Sequence, residues 1–256
     1  MVEERAAHPG APPEARSTRV EPGQEVDLRE YNERWHQIWG AGLLPGQRFD
    51  AGASPPLLRH LLESGKVPTA GRRVLVPGCG RGYDVVAAAA AGAALAVGLD
   101  ICSLAVSAAG EHRDETLPAE AAARAAFEQR DFFEYSHPGG PFDLGFDYTF
   151  FCALPATEAV RKAWAEAWAR LLAPGGELVT LIFPVDPSAD PTMGPPFPVA
   201  PELYESLLTA AGFECLELEP VPTHLSHPAR AGREWLGRWR RPGGSGGGGA
   251  AVASKF

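Results

Sequence analysis

The sequence lacks the features that mark two common classes of protein. It contains no apolar run that approaches the length of a membrane span. Positive charge is also scarce, because 23 Lys and Arg residues face 32 Asp and Glu residues, for a formal net charge of −9. Since nucleic-acid binding depends on clustered Lys and Arg, we expect neither a nucleic-acid partner nor a membrane partner.

Cysteine is rare and scattered. None of the four cysteines belongs to a C-x-x-C pair; they are Cys79, Cys102, Cys152 and Cys215. This spacing is typical of reduced thiols in an intracellular protein, so we expect a cytoplasmic location. The last three residues, Ser-Lys-Phe at 254–256, differ from a peroxisomal address only at the final position, which leaves the peroxisome as an alternative.

Candidate metal ligands are sparse as well. His224 and His227 form an H-x-x-H pair, but no third ligand accompanies them. Pairs of this kind are more often plain loop residues than metal ligands. We therefore expect no metal site.

The chain length and composition predict one folded domain with two unstructured ends. A length of 256 residues fits a single α/β domain, here assigned to 27–241. Residues 1–26, rich in Ala, Pro and mixed charge, predict a disordered arm, and the Gly-rich stretch 242–256 predicts a disordered tail. We expect a monomer, although no pattern in the sequence signals oligomeric state.

The strongest positive signal is a short apolar run followed by a glycine-rich turn and an alanine-rich helical pattern. Residues 74–76 predict a strand, Gly78, Gly80 and Gly82 the turn, and 85–91 a helix. Glycine allows a sharp turn and a close approach of ligand to backbone, and the amides at the helix start would face that ligand. The G-x-G-x-G spacing differs from the G-x-G-x-x-G of dinucleotide folds, which disfavours a bound pyrophosphate.

A second apolar strand, 95–100, ends in Asp100. This acid lies about 20 residues beyond the glycine turn, the offset at which a carboxylate accepts hydrogen bonds from ribose hydroxyls. A carboxylate suits a vicinal diol because it accepts two hydrogen bonds. Together the turn and the acid predict an adenosine-type ligand, although an acid at a strand end can also be a helix cap.

Strand and helix patterns alternate along the rest of the chain. The third strand, 127–132, ends in Asp131 and Phe132, and the fourth, 142–151, contains Tyr148. Ligands of an open parallel sheet bind outside the carboxyl ends of its strands, so these three residues are candidate contacts. The alternatives are the start of a polar loop for the first two and a core tyrosine for the third.

The predicted fold class is α/β. The last two strands, 213–218 and 233–240, predict an antiparallel hairpin at the edge of the sheet. We expect a mostly parallel seven-stranded sheet that carries this C-terminal hairpin and has helices on both faces.

An aromatic-rich helix precedes the glycine turn. Residues 28–39 predict an amphipathic helix in which Trp35 and Trp39, four positions apart, lie on one face. Phe49 follows in the next loop. These aromatic side chains could cover a flat or cationic ligand, or they could belong to the core.

Four segments, 75–86, 97–101, 146–153 and 232–239, resemble the thiopurine methyltransferase-like superfamily of class I methyltransferases. Within it, the plant and fungal thiol/halide methyltransferases are most similar. The resemblance runs from about Tyr31 to Arg240. It implies the Rossmann-like class I methyltransferase fold and S-adenosyl-L-methionine as cofactor.

The resemblance also implies a role for each candidate residue. Trp35 and Trp39 would contact the cofactor, and Phe49 stands where the family has a tryptophan. The family's Pro-Pro-Tyr loop appears here as 195–197, with Phe197 in place of the tyrosine. The other implied cofactor contacts are Gly78 and Gly80 at the methionine part, Asp100 at the ribose, Asp131 and Phe132 at the adenine, and Tyr148, also the candidate catalytic residue, near the sulfonium. Ile101, next to Asp100, is a further implied cofactor contact.

The reaction implied by the resemblance is in-line SN2 attack of a small thiol, hydrosulfide or halide ion on the sulfonium methyl group. An anion and a cation lose their charges in this step, so removal of water from the anion in an apolar pocket accelerates it. Alignment of the reacting atoms supplies much of the rest. The absence of a catalytic triad or carboxylate pair agrees with this chemistry.

Three other functions stay open. One is a thiopurine-type S-methyltransferase that acts on an aromatic thiol, and another is a cofactor-binding module without turnover. The third is an NAD(P)-dependent reductase, which the glycine spacing and the lack of a Tyr-x-x-x-Lys motif disfavour.

Overall fold

The computed structural model describes residues 17–243, which form nine strands and seven α-helices. The strands are β1 (Thr18–Arg19), β2 (Arg73–Pro77), β3 (Leu95–Asp100), β4 (Ala125–Gln129), β5 (Phe142–Tyr148), β6 (Leu172–Ile182), β7 (Met193–Gly194), β8 (Glu214–Pro220) and β9 (Trp235–Arg240). The helices are α1 (Leu28–Gly40), α2 (Pro56–Glu63), α3 (Tyr83–Ala90), α4 (Ser103–Thr116), α5 (Ala119–Ala122), α6 (Glu158–Leu171) and α7 (Pro201–Ala210).

A seven-stranded sheet in the order β4-β3-β2-β5-β6-β9-β8 forms the centre of the protein. The first five strands in this order, β4, β3, β2, β5 and β6, are parallel to one another. β9 runs antiparallel to both of its neighbours, β6 and β8. This arrangement confirms the predicted parallel sheet with a C-terminal antiparallel hairpin. Since parallel strands carry their carboxyl ends to one edge, the segments that follow β2, β3, β4 and β5 meet there.

Apolar residues of the strands pack against helices on both faces of the sheet. Along β2, Val74 and Val76 belong to the cluster that contains α2 and α3 residues, whereas Leu75 belongs to the cluster with Trp164 and Trp168 of α6. Successive side chains of a strand point to opposite faces, which explains this division. Burial on both faces explains why the strands are continuously apolar in sequence.

The structure departs from the predicted disordered arm, 1–26, in its last part. Thr18 and Arg19 form β1, which pairs antiparallel with β7 in a separate two-stranded sheet. Val20 is 2% exposed and packs in a cluster with Tyr31 and Phe197. β7 and Phe197 are distant in the chain from this segment, so the local composition could not reveal these contacts. The predicted disorder of 1–16 and of 244–256 lies outside the described residues.

Two strands are placed differently from the sequence prediction. The third strand is β4 and ends at Gln129, so Asp131 and Phe132 lie in the turn that follows it. The fourth strand, β5, ends at Tyr148, and a short 3-10 helix occupies Phe151–Ala153. Both shifts place the candidate residues at the carboxyl edge of the sheet. In the described part of the chain, no helix is long and apolar enough to cross a membrane.

Candidate active site

A cavity of about 790 Å³ opens at the carboxyl edge of the sheet. Its wall is formed by α1, the loop after it, the glycine turn, the segments after β3, β4 and β5, and loops at 195–196 and 229–233. Every candidate site residue from the sequence lines this cavity: Trp35, Trp39, Phe49, Gly78, Gly80, Asp100, Ile101, Asp131, Phe132 and Tyr148. The structure thus brings these residues together, while their individual roles toward a ligand stay predictions.

The glycine turn between β2 and α3 has a conformation that other residues rarely adopt. Gly78, Gly80 and Gly82 have φ angles of 55°, 51° and 74°. A Cβ atom at Gly78 would lie 2.6 Å from the Phe150 ring, and one at Gly82 would lie 2.5 Å from Phe127. Glycine is therefore required at both ends of the turn, and Gly78 presents bare backbone to the cavity.

Asp100 is fixed at the end of β3 by the backbone. Its Oδ2 atom accepts a hydrogen bond from the Gly80 amide at 3.1 Å, and its Oδ1 atom accepts one from the Cys102 amide at 2.9 Å. Burial raises the pKa of Asp100 to about 6, and the hydrogen bonds from Cys102 and Gly80 limit the rise. Each carboxylate oxygen keeps further acceptor capacity, as a ribose diol would require.

Asp131 and Phe132 form the wall of the cavity beyond β4. The Asp131 Oδ1 atom accepts a hydrogen bond from the Phe133 amide at 2.8 Å, which fixes the turn. Phe132 is only 3% exposed, and its ring centroid lies 5.2 Å from that of Phe150 and 5.1 Å from that of Trp168. Phe132 is therefore chiefly a core side chain, and the half-buried Asp131 is the polar group at this end.

The two tryptophans of α1 differ in their surroundings. Trp35 is half-buried and meets the Phe49 ring edge to face, with ring centroids 5.5 Å apart. Trp39 is 8% exposed and packs in a cluster with Leu43 and residues of α4. The two alternatives from the sequence, a core role and a cover for a ligand, thus both apply. Trp39 is mainly a core side chain at the edge of the cavity, whereas Trp35 forms part of the cavity wall.

The loop after α1 is tied to the glycine turn by an ion pair. The Arg81 Nε atom lies 2.8 Å from Asp50 Oδ2, and the Arg81 guanidinium lies 5.2 Å from the centre of the Trp39 ring. Tyr83 also donates a hydrogen bond to Asp50 at 3.1 Å. These contacts hold Phe49, the neighbour of Asp50, beside the cavity.

Tyr148 is the centre of a buried polar network. Its hydroxyl donates to Glu234 Oε1 at 2.6 Å and accepts a hydrogen bond from Arg230 Nη1. The Nη2 atom of Arg230 donates to the Phe49 carbonyl at 2.9 Å. Burial holds the pKa of Tyr148 far above its ordinary value, so the hydroxyl stays protonated and can position groups but cannot act as a base.

Sequence reasoning missed Arg230 and Glu234 as parts of the site. Arg230 opens a locally basic run, and such a run is by default a solvated edge, with attraction of an anionic substrate as the alternative. In the structure, however, Arg230 is 8% exposed and Glu234 is 2% exposed. Both residues come from the end of the chain and meet β5 only in the folded protein. The only available signal was the position of Glu234 inside the 232–239 segment that resembles a known family.

The cysteines of the cavity wall are not reactive nucleophiles. Burial raises the pKa of the Cys79 thiol well above its ordinary value, and the nearby Asp100 and Asp84 carboxylates add to the effect. Burial likewise raises the pKa of Cys152 to about 12. A thiol reacts as its thiolate, so the raised pKa values disfavour both groups as nucleophiles near neutral pH, although Cys79 itself is only half-buried. Within 17–243, no three His, Cys, Asp or Glu side chains are grouped to hold a metal ion.

Comparison with known proteins identifies the family. The chain matches the family model described as thiopurine S-methyltransferase over residues 30–240, nearly the whole of the described structure. The chain belongs to the thiopurine S-methyltransferase family. The resemblance seen in the sequence is thereby confirmed, and with it the assignment to the S-adenosylmethionine-dependent methyltransferases.

Curated relatives of this thiopurine S-methyltransferase family member come from plants. It is 43% identical over 207 residues to probable thiol methyltransferase 2 of Arabidopsis thaliana, with 81% of this chain and 84% of the relative covered. It is 39% identical over 207 residues to thiocyanate methyltransferase 1 of Brassica oleracea, with the same coverage of 81% and 84%.

Solved structures support the fold of this family member. The CcbJ methyltransferase of Streptomyces caelestis aligns with a TM-score of 0.62 at 15% identity, over 85% of this chain and 100% of that one. Magnesium protoporphyrin IX methyltransferase of Synechocystis PCC 6803, solved with bound S-adenosylmethionine, aligns with a TM-score of 0.55 at 17% identity, over 85% and 86%. At these identities the likeness confirms the methyltransferase fold.

Proposed function

We propose that this protein transfers a methyl group from S-adenosylmethionine to a small thiol, to hydrosulfide or to a small anion such as thiocyanate or a halide. The names of its relatives, thiol methyltransferase and thiocyanate methyltransferase, support this acceptor class. The observation that carries the proposal is one cavity whose wall has carboxylates at one end, after β3 and β4, and apolar and aromatic side chains at the other.

The residues of the polar end fit the cofactor. Asp100 has the acceptor capacity for the ribose hydroxyls, and Asp131 offers a carboxylate where the adenine amino group would lie. Gly78 presents bare backbone to the cavity, which allows close approach of the methionine part. When bound, S-adenosylmethionine supplies an electrophilic methyl group on a positively charged sulfur.

The other end of the cavity suits a small anion. Its wall includes Phe183, Pro195 and Pro196, whose apolar side chains offer no hydrogen bonds to a charged acceptor. Arg233, at the exposed rim, lies 5.4 Å above the Phe183 ring and adds positive charge that attracts anions. An anion that enters loses water against apolar walls, which increases its nucleophilicity.

No strong base is needed for acceptors of this class. Thiocyanate and halides are anions already, and free thiols have an ordinary pKa of about 8.5, so a few per cent are thiolate at neutral pH. In the described residues the cavity wall includes neither lysine nor histidine. Within this wall the chain contributes binding, alignment and exclusion of water.

An aromatic thiol is a second candidate acceptor. The description of the family model as thiopurine S-methyltransferase and the aromatic cavity wall both favour it. A competition assay separates the candidates: hydrosulfide, thiocyanate and thiophenol are offered together with labelled methyl donor, and the products are quantified. We expect the two small acceptors to dominate. Product from thiophenol alone would contradict the proposal and would show that the protein methylates an aromatic thiol.

We further propose that the protein acts as a monomer in the cytoplasm on these small molecules. Sedimentation velocity tests the first expectation and localisation of a tagged full-length chain tests the second. A stable dimer would contradict the first expectation, and accumulation of the tagged chain in peroxisomes would contradict the second.

A further inference from the structure

The short strand β1 lies beside the loop that carries the two prolines of the cavity wall. It pairs antiparallel with β7, whose last residue, Gly194, directly precedes Pro195 and Pro196. The Val20 amide continues this pairing, because it donates a hydrogen bond to the Thr192 carbonyl at 2.8 Å. Both prolines belong to the part of the wall that suits a small anion, which we call the acceptor end. The start of the described chain therefore contacts the loop of the acceptor end.

Val20 anchors this pairing in a small apolar cluster. It is 2% exposed and packs with Tyr31, Ala156 and Phe197. Phe197 is fully buried there, so the residue after the two prolines is a core side chain under β1. A pair of two-residue strands has little stability of its own, and burial of apolar side chains supplies what the pairing lacks. Val20 is therefore the main anchor of β1.

Polar contacts on the exposed side of β1 add to this hold. Arg19 donates a hydrogen bond to Thr192 Oγ1 at 2.7 Å, and its guanidinium lies 3.0 Å from Asp190 Oδ2. Arg34 of α1 donates to Thr18 Oγ1 at 2.9 Å. Exposed ion pairs contribute little to stability, so these contacts are secondary to the apolar cluster.

The segment after β5 holds the same loop from the opposite side. The Phe197 amide donates to the Cys152 carbonyl at 2.7 Å, and the Tyr31 hydroxyl donates to the Ala153 carbonyl at 2.9 Å. Cys152 and Ala153 also line the cavity. The loop is thus held between β1 and the segment after β5. Loss of the packing of Val20 would free one side of the loop while the other side stays attached.

The order of the strands separates this loop from the predicted adenosine contacts. Asp131 follows β4 and Asp100 ends β3, whereas Phe183 of the acceptor end follows β6. Strands β2 and β5 lie between the two groups. A change at β1 should therefore affect the acceptor end and leave the adenosine contacts in place.

We propose that residues 17–20 form part of the acceptor site and that Val20 is a positioning residue for methyl transfer. Val20 acts through the loop, because it holds Pro195 and Pro196 in the wall against which the anion loses water and is aligned for attack. Ser17, at the other end of this segment, lines the cavity directly. This inference rests on the proposed function, because it takes this end of the cavity as the place of the acceptor.

Acceptor kinetics of the full-length Val20→Ala variant test the proposal. We expect kcat/KM for iodide to fall by at least about tenfold, because a loosened wall admits water and misplaces the acceptor. The dissociation constant for S-adenosylhomocysteine should stay within about twofold of the wild-type value, because the adenosine contacts are distant from β1. The loss should be larger for hydrosulfide than for thiophenol, because a looser wall fits a bulkier acceptor. Unchanged kcat/KM for iodide in the folded variant would overturn the proposal.

Val26→Ala is the matched control. Val26 belongs to the same N-terminal segment and packs against the same apolar cluster, but it lies outside the pairing of β1 with β7. Its iodide kinetics should stay within about twofold of wild type. An equal loss in both variants would overturn the role of Val20. So would an equal loss of affinity for S-adenosylhomocysteine in Val20→Ala, which would indicate general distortion of the cavity.

Val20→Thr is the second variant, for use if Val20→Ala does not fold. It keeps the shape of the side chain and places a hydroxyl among apolar neighbours, which weakens the anchor without leaving a cavity. Circular dichroism verifies the fold, and the same pattern of kinetic losses is expected; unchanged iodide kinetics would again overturn the proposal. If the wild type binds S-adenosylhomocysteine but methylates neither iodide nor hydrosulfide, the proposed function itself is wrong, and the inference fails with it.

Discussion

The ribose assignment of Asp100 is the most direct link between the fold and the cofactor. In Asp100→Ala, the carboxylate that would accept from the ribose hydroxyls is lost. Hydrogen bonds to charged groups contribute about 1.5–3 kcal/mol. We therefore expect the dissociation constant for S-adenosylhomocysteine to rise by about 10- to 150-fold.

The same substitution also affects the protein itself. Asp100 accepts from the amides of Gly80 and Cys102, at 3.1 Å and 2.9 Å, and the variant leaves both amides without this acceptor. Some loss of affinity could thus come from a disturbed glycine turn. A ligand control is needed to separate the two effects.

The assay is isothermal titration calorimetry with wild type and Asp100→Ala, after circular dichroism has verified that the variant is folded. S-adenosylhomocysteine is compared with its analogue that lacks the 2′ and 3′ hydroxyls. If Asp100 holds the diol, the variant and the wild type bind the analogue with similar affinity. Unchanged affinity for S-adenosylhomocysteine in the folded variant, or an equal loss for both ligands, would refute the assignment.

Three further predictions concern two residues of the cavity wall, Trp35 and Tyr148, and the buried Asp147, which precedes Tyr148 in β5 and is 2% exposed. Trp35→Ala should fold normally but bind S-adenosylhomocysteine about 1–3 kcal/mol more weakly in calorimetry, because the half-buried Trp35 side chain forms part of the cavity wall; normal binding would show that Trp35 does not cover the ligand. Tyr148→Phe should lower the free energy of unfolding by about 1–3 kcal/mol in urea titrations, since Glu234 and Arg230 lose a shared partner; an unchanged midpoint would contradict this. Burial raises the pKa of Asp147 from 3.8 to about 6, so its contribution to stability is complete below 3.8 and is lost as pH rises through about 6. Relative to the non-titrating Asp147→Asn, wild type should therefore lose up to about 3 kcal/mol between about pH 4 and 7, and a pH-independent difference would disprove the raised pKa.

The parts of the site that local sequence encodes were predictable. Asp100 and the glycine turn belong to one strand–turn–helix unit and the strand after it, in which positive φ angles require glycine. The parallel sheet and its final hairpin followed from continuous apolar strands with turn residues between them. These features depend on short stretches of chain, so hydrophobic pattern and spacing are enough to find them.

The parts that depend on distant contacts were not predictable from pattern. Arg230 belongs to a basic run that looks solvent-exposed, and it is buried only because its loop meets the end of β5 and the loop at Phe49. The pairing of β1 with β7 likewise joins segments more than a hundred residues apart. In both cases the partner, and not the local sequence, determines burial.

Methyl transfer from labelled S-adenosylmethionine to iodide and to hydrosulfide, run side by side with the volatile product collected, tests the central claim most directly. Iodide needs no deprotonation, so its turnover would support alignment and loss of water as the main contributions of the site. The account predicts labelled methyl iodide and methanethiol. No volatile product from either acceptor, in a protein that binds S-adenosylhomocysteine, would contradict it.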